Sequence, residues 1–189
     1  MPVTLYIALY TRREPGVVGS SFHWVLVAGN TSDKRSGSDS QGKDDADDSV
    51  PALLNAYQIV NNRGDPNEWF VEHHPQIDPE ALNPDTFVGY VRLGSLSTDV
   101  IGTLAEFEEW MQSWPAGQGG SPSLGTHRRW SCAQWALRVL DTLKESDMLV
   151  MEPDLAGEPF YCRVLAKGMV LENARFSDFT AGKTPVVDF

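Results

Sequence analysis

The hydrophobic pattern changes period once along this chain, and that change constrains the fold more than any other feature. Up to about residue 96, apolar residues alternate with polar ones or run continuously in short segments between turn residues. Both patterns are typical of strands. After residue 97, apolar residues recur three and four positions apart, as they do on one face of a helix. This order predicts an α+β fold, in which an antiparallel sheet carries helices on one side.

Five segments are predicted as strands and three as helices. The strands are 5–10, 22–28, 56–60, 69–73 and 87–93, and the helices are 97–114, 131–145 and 159–173. Ser97 and its neighbours supply an N-cap for the first helix, whereas Gly168 disfavours the third. We therefore expect a sheet of about five strands with two to three helices. No linker divides the chain, so residues 1–189 are predicted to form one domain.

Residues 30–49 form the most polar segment of the chain. They contain six aspartates and a single apolar residue, Ala46. Such a segment cannot bury a core, so it is predicted to be a mobile, solvated loop. Its aspartates lack the ligand spacing and the central glycine of a calcium loop, so a metal site is not expected there.

Charge and cysteine content exclude several classes of function. The chain has 15 Lys and Arg against 26 Asp and Glu, a net charge of −11, which disfavours nucleic acids and anionic membranes as partners. No apolar run approaches the ~18 residues that a membrane span needs. Two cysteines do not make a disulfide framework, so free thiols in a reducing, cytoplasmic compartment are expected, although a single bridge stays open. No zinc-ligand spacing occurs, and neither a metal nor a cofactor is expected.

Cys132 opens the second predicted helix. Ser131 is suited to the N-cap position, and Gln134 three residues later completes a capping box. Cys132 then occupies the first helical position, where the partial positive charge of the helix favours a thiolate and unpaired N–H groups could hold an oxyanion. This pattern suits a nucleophile. The alternative is a small buried side chain at the start of an amphipathic helix.

A cysteine nucleophile needs a base, and His23 fits that role best. The four histidines are His23, His73, His74 and His127. His23 lies inside the most apolar strand, where a buried imidazole needs a hydrogen-bond partner. His73 and His74 end a strand, and His127 stands in a loop where solvation is expected. A strand histidine and a cysteine at a helix N-terminus form a matching pair, although a core histidine is the alternative.

These two residues also carry a resemblance. His23 followed by Trp24 in an early strand, with Cys132 opening a later helix, resembles the circularly permuted branch of the papain-like thiol fold. That branch includes the lecithin:retinol acyltransferase relatives and some NlpC-type peptidases, and the similarity spans roughly residues 20–145. Segments 5–10, 22–24, 57–58 and 132–135 are also similar to short fungal proteins of unassigned function. Some of those proteins accompany natural-product pathways.

The resemblance implies a nucleophile at Cys132 and a general base at His23. The acyltransferase relatives orient this base with a second histidine on the next strand, where the present chain has Gln58. The orienting residue is therefore Gln58 or His73. The Asn-Cys-Glu-His string of those relatives is replaced by Ser131-Cys132-Ala133-Gln134, and their C-terminal membrane helix is not found, so a phospholipid substrate is not expected.

Aromatic residues cluster around the predicted site. The predicted substrate-binding residues are Trp24, Tyr57, Trp69, Trp130, Gln134 and Trp135. Aromatic side chains with a few polar groups suit a pocket for a hydrophobic small molecule. Core packing is the alternative for the same residues.

Three functions follow from these observations. The first is a small soluble thiol enzyme that transfers an acyl group, or hydrolyses an ester, thioester or amide, in a natural-product pathway. The second is a cyclase that closes a ring by positioning its substrate without a nucleophile. The third is a binding protein that catalyses no reaction, whose main external feature is the aspartate-rich loop of residues 30–49. The oligomeric state stays open.

Overall fold

The computed structural model describes residues 2–12, 21–30, 50–51, 53–62, 65, 67–119, 129–151, 153–177 and 184–189. Within these ranges the chain forms seven strands and four helices. The strands are β1 (Val3–Arg12), β2 (Ser21–Asn30), β3 (Leu54–Asn61), β4 (Trp69–Ile77), β5 (Phe87–Leu96), β6 (Leu149–Val150) and β7 (Val186–Asp188). The helices are α1 (Pro79–Leu82), α2 (Leu104–Gln112), α3 (Cys132–Glu145) and α4 (Gly157–Ser177). The predicted α+β class is confirmed.

The strands form one sheet with the order β4-β3-β2-β1-β5-β6, and β7 also pairs with β5. The pairings are antiparallel except for the parallel contact between β5 and β7. The five long strands overlap the five predicted ones. The other two have only two and three residues, which is too short for an alternating pattern to reveal.

The sheet buries both of its faces. On one face Leu5, Ile7 and Leu9 of β1 belong to the main core, where α2, α3 and α4 also contribute side chains. On the other face Tyr6 and Tyr10 belong to a smaller apolar cluster. Because successive side chains of a strand point to opposite faces, β1, β2, β3 and β5 each supply buried residues to both clusters.

The helices differ from the prediction mainly at their starts. α3 begins as predicted, with Ser131 as the N-cap accepting a hydrogen bond from Gln134 N, but the predicted capping box is incomplete because Gln134 Oε1 does not accept a bond in return. The first predicted helix was placed too early, since α2 begins at Leu104 behind a complete capping box of Thr103 and Glu106. The segment from Ser97 makes only a turn before that helix. A complete capping box satisfies more of the first N–H groups than Ser97 alone could.

α1 and α4 also extend the prediction. α1 was not among the predicted helices; Asp78 caps it and Pro79 occupies its first turn, a position that suits proline. α4 continues through Gly168, which was expected to disfavour it. A side chain at Gly168 would collide with Phe22 and Leu9, so the glycine allows the helix to approach the sheet closely.

Two predictions concern residues outside the described ranges. They are the mobility of loop 30–49, of which only Asn30 is described, and the solvation of His127. In the described part of the chain, no helix is both long and apolar enough to span a bilayer. The same residues contain no group of three His, Cys, Asp or Glu side chains suited to a metal ion.

Candidate active site

The start of α3 meets the sheet beside an unpaired stretch of β2. Within the described residues, β2 pairs with β3 only from Leu26 to Ala28, so the preceding residues have no ladder partner on that side. The sulfur of Cys132 occupies this position, and Trp24 N donates to it over 3.5 Å. The cysteine is 2% exposed and is not bonded to Cys162, which is exposed. The structure therefore places the thiol within hydrogen-bond reach of the strand that carries His23.

His23 contacts the sulfur directly. Its Nδ1 atom lies 3.2 Å from Cys132 Sγ. Its other ring nitrogen, Nε2, lies 2.6 Å from Gln58 Oε1 on β3. A carbonyl oxygen only accepts, so Nε2 carries a proton and donates it to Gln58, which leaves Nδ1 for exchange with the sulfur. This is the order nucleophile, base and orienting group that thiol enzymes require.

Arg12 is a fourth member of this cluster, and the sequence analysis missed it. Its Nη2 atom lies 2.9 Å from His23 Nδ1 and 3.7 Å from Cys132 Sγ. The β1–β2 register pairs Tyr10 with His23 and Arg12 with Ser21, so Arg12 is the diagonal neighbour of His23. Diagonal pairs are within reach of long side chains, but the sequence alone does not give the register that makes Arg12 such a neighbour.

The contacts shift the ionisation of both partners. Burial opposes the charged form of Cys132, but hydrogen bonding and charge from His23, the charge of Arg12 and the Trp24 N–H outweigh it, so its pKa is lowered. Burial also opposes the charged form of His23, yet the hydrogen bond and charge of Cys132 and the bond to Gln58 outweigh burial and Arg12, so its pKa is raised. Both directions favour a thiolate–imidazolium pair.

His73, the other residue predicted to orient His23, lies elsewhere. Cross-strand partners share a face, and the register pairs Gln58 with Glu72 but Tyr57 with His73. Gln58 and His73 therefore lie on opposite faces of the sheet. The His73 ring stacks on Tyr57 with a centroid distance of 4.7 Å, and its Nδ1 lies 3.6 Å from Glu108 of α2. Gln58, and not His73, is the group that contacts His23.

The residues predicted to bind substrate lie mainly in the core. Trp24, Tyr57, Gln134 and Trp135 are buried, whereas Trp69 and Trp130 are partly buried. The indole N–H groups of Trp130 and Trp135 donate to the carbonyls of Ala116 and Pro115. These bonds join α3 and the residues just before it to the segment that follows α2. A substrate-binding role for these six residues stays a prediction.

A pocket of about 410 Å³ lies beside the His23 ring. The lining residues are Tyr10, Thr11, Arg12, His23, Val25, Gln58, Glu72, His74, Leu82, Asn83 and Thr86. The volume is that of a small-molecule site. The lining is more polar than the aromatic pocket predicted from the sequence, and it includes none of the six residues predicted to bind substrate.

The cluster can perform nucleophilic chemistry. Cys132 supplies a thiolate, His23 can accept and return a proton at Nδ1, and Gln58 holds the ring. The first N–H groups of a helix have no partner within that helix, so the start of α3 is suited to a developing negative charge. No protein-family model, curated protein or solved structure matched this chain.

Proposed function

We propose that this protein is a thiol enzyme that transfers or hydrolyses acyl groups, with Cys132 as the nucleophile and His23 as the general base. The contact of His23 Nδ1 with Cys132 Sγ at 3.2 Å, while Nε2 is held by Gln58 at 2.6 Å, is the observation that carries the proposal. The lowered pKa of Cys132 and the raised pKa of His23 support it.

The reaction has two steps. In the first, the thiolate of Cys132 attacks the carbonyl carbon of an ester, thioester or amide, and a tetrahedral oxyanion forms. His23 donates its Nδ1 proton to the leaving group as that bond breaks, which leaves a thioester on Cys132. In the second, a water molecule or an acceptor alcohol or amine attacks this thioester while His23 takes its proton. The thiolate then leaves, and the free enzyme is restored.

Arg12 extends the same mechanism. A guanidinium only donates hydrogen bonds. Arg12 Nη2 donates to His23 Nδ1 over 2.9 Å while that nitrogen is unprotonated; once Nδ1 holds a proton, Arg12 can donate instead to the negative sulfur, 3.7 Å away. That charge moves to the carbonyl oxygen when the C–S bond forms. We infer that Arg12 stabilises both the thiolate and the oxyanion.

Arg12, His23 and Gln58 line the pocket, whereas Cys132 does not, and the mixed lining supports a small substrate with both polar and apolar parts. Val25 and Leu82 provide apolar surface, whereas Arg12, Asn83 and Thr86 provide hydrogen-bonding groups. A hydrophobic acyl chain with a polar head is therefore a better match than a wholly apolar molecule. A role in natural-product biosynthesis remains part of this proposal.

Acyl transfer to the sulfur tests the proposal. The protein is incubated with p-nitrophenyl acetate and with short acyl thioesters, and the acylated peptides are identified by mass spectrometry. We expect one acyl group on Cys132, none in C132S, and formation slowed roughly 10²–10⁴-fold in H23Q, which is the usual contribution of a general base. Equal acylation of Cys132 and the exposed Cys162 would contradict the proposal and favour a cyclase or a binding protein.

A further inference from the structure

We propose that Glu72 is a positioning residue of this site, which fixes the direction of the Gln58 amide and thereby the proton arrangement of His23. The inference rests on the function proposed above. Glu72 lies on β4 directly across from Gln58 on β3. Its Oε2 atom accepts a hydrogen bond of 2.9 Å from Gln58 Nε2.

The chemistry of the two side chains determines which way the amide points. An ionised carboxylate only accepts hydrogen bonds, so Gln58 must turn its NH₂ group toward Glu72. The amide oxygen of Gln58 then faces His23 Nε2, where the distance is 2.6 Å. Nε2 must therefore hold a proton, and in the neutral ring Nδ1 is unprotonated. That is the only neutral form of His23 able to take the proton of the Cys132 thiol.

Without the carboxylate the amide can rotate by half a turn. The NH₂ group of Gln58 would then donate to an unprotonated Nε2, and the neutral ring of His23 would carry its proton on Nδ1, toward the sulfur. This tautomer cannot accept a proton from Cys132. A reversed amide also offers no acceptor to the imidazolium form. Glu72 therefore favours, through Nε2, the same form of the ring that Arg12 favours through Nδ1, and it does so without touching the reacting atoms.

The surroundings of Glu72 support this role. His74 Nε2 lies 3.5 Å from the same Oε2 atom, so the carboxylate is approached from two sides by nitrogen atoms. With a side chain 45% exposed, Glu72 remains open to water on one side and avoids the cost of a buried charge. The polar chain thus runs from Cys132 through His23 and Gln58 to Glu72, across three neighbouring strands of the sheet.

The test uses two variants of Glu72 and one matched control, all in a C162S background that removes the exposed thiol. E72M keeps the length of the side chain but has no acceptor. E72Q keeps an acceptor for Gln58 but can also donate to it. E68M is the control, because Glu68 accepts a bond of 2.6 Å from the amide of Asn62 near the turn between β3 and β4, away from the site.

Two measurements are made on each variant. The rate of Cys132 alkylation by iodoacetamide is followed from pH 5 to 10. The ¹⁵N shifts of His23 show which ring nitrogen is protonated, above the pH at which the ring becomes neutral. We expect E72M to slow alkylation about threefold at pH values below the thiol pKa of both proteins and to raise the alkaline rate by a similar factor, as for a thiol whose pKa rises by about one unit. E72Q should slow it less, and E68M should not slow it.

The NMR result decides between positioning and general stability. Parent and E68M proteins should hold the neutral-ring proton on Nε2, whereas E72M should show a mixture of both tautomers. E72M with the parent alkylation profile and the parent tautomer would overturn the proposal for Glu72. If E72M does not fold, the comparison is made with E72Q, and a parent alkylation profile with the parent tautomer in E72Q would overturn the proposal. A parent protein whose Cys132 alkylates like a free thiol would instead contradict the proposed function.

Discussion

Replacing His23 by glutamine should slow the alkylation of Cys132 at neutral pH. Glutamine preserves bulk and hydrogen bonding in the strand but cannot carry a proton. The variant removes the hydrogen bond and the charge that lower the pKa of Cys132, whereas the burial that raises it remains. The thiol of H23Q should therefore ionise at higher pH than in the parent protein.

The structure sets the size of the expected change. An opposite charge within ~4–6 Å shifts a pKa by roughly 1–3 units, and His23 Nδ1 is 3.2 Å from Cys132 Sγ. The thiolate fraction below both pKa values would fall about 10- to 1,000-fold. A more basic thiolate is also a better nucleophile, with a Brønsted slope of ~0.4–0.5. The two effects together predict a loss of roughly 3- to 50-fold in rate below both pKa values, and a smaller loss at any pH where the parent thiol is already ionised.

The assay is the pH dependence of iodoacetamide alkylation in the C162S background. Urea unfolding of each variant is measured separately to confirm that the variant is folded. H73Q is the matched control, because His73 lies on the opposite face of the same sheet and contacts Glu108. We expect H73Q to match the parent. Identical profiles for H23Q and the parent would show that His23 does not activate Cys132. Slow alkylation in H73Q with an unchanged H23Q would indicate that His73, and not His23, activates Cys132.

Three further predictions concern stability. The difference in unfolding free energy between the parent and C132S should rise with pH up to about 6.5, stay level to about 8.5 and fall above it. The reason is that the folded ion pair binds one proton, whereas the unfolded Cys132 and His23 together bind two protons below about 6.5, one between about 6.5 and 8.5, and none above about 8.5. Urea unfolding at several pH values measures the difference, and a difference that does not change with pH would exclude the ion pair. Trp135→Ala should cost about 3–5 kcal/mol in the same experiment, because the side chain is 1% exposed and its N–H bond to Pro115 is lost, and a cost under ~1 kcal/mol would show that it is loosely packed. Gly94→Ala should cost on the order of 1–3 kcal/mol, because its Cβ would overlap the Val150 carbonyl oxygen where β5 meets β6; calorimetry measures it, and an unchanged Tm would mean that this strand pair adjusts freely.

The parts of the site that depend on local signals could be predicted from the sequence. The N-cap at Ser131 places Cys132 at the start of α3, and the apolar run around His23 identifies a central strand. Both signals act within a few residues. The choice of Gln58 as a partner came from a family resemblance, and the structure shows the contact that this choice requires.

The parts that depend on register could not be predicted. Arg12 and Glu72 reach the site because of how β1 pairs with β2 and how β3 pairs with β4. A shift of one residue would move either side chain to the other face of the sheet. The same ambiguity affects the aromatic residues, because a core and an apolar pocket require the same side chains, and Trp24 and Trp135 are in the core.

The central claim is that Cys132 is a thiolate paired with His23 in the folded protein. Ultraviolet difference absorbance near 240 nm, where a thiolate absorbs and a thiol does not, measures this directly when C162S is compared with C132S/C162S across the pH range. Our account predicts a thiolate signal already present at neutral pH and lost on acidification. A signal that appears only as the pH passes the ordinary thiol value of about 8.5 would contradict it.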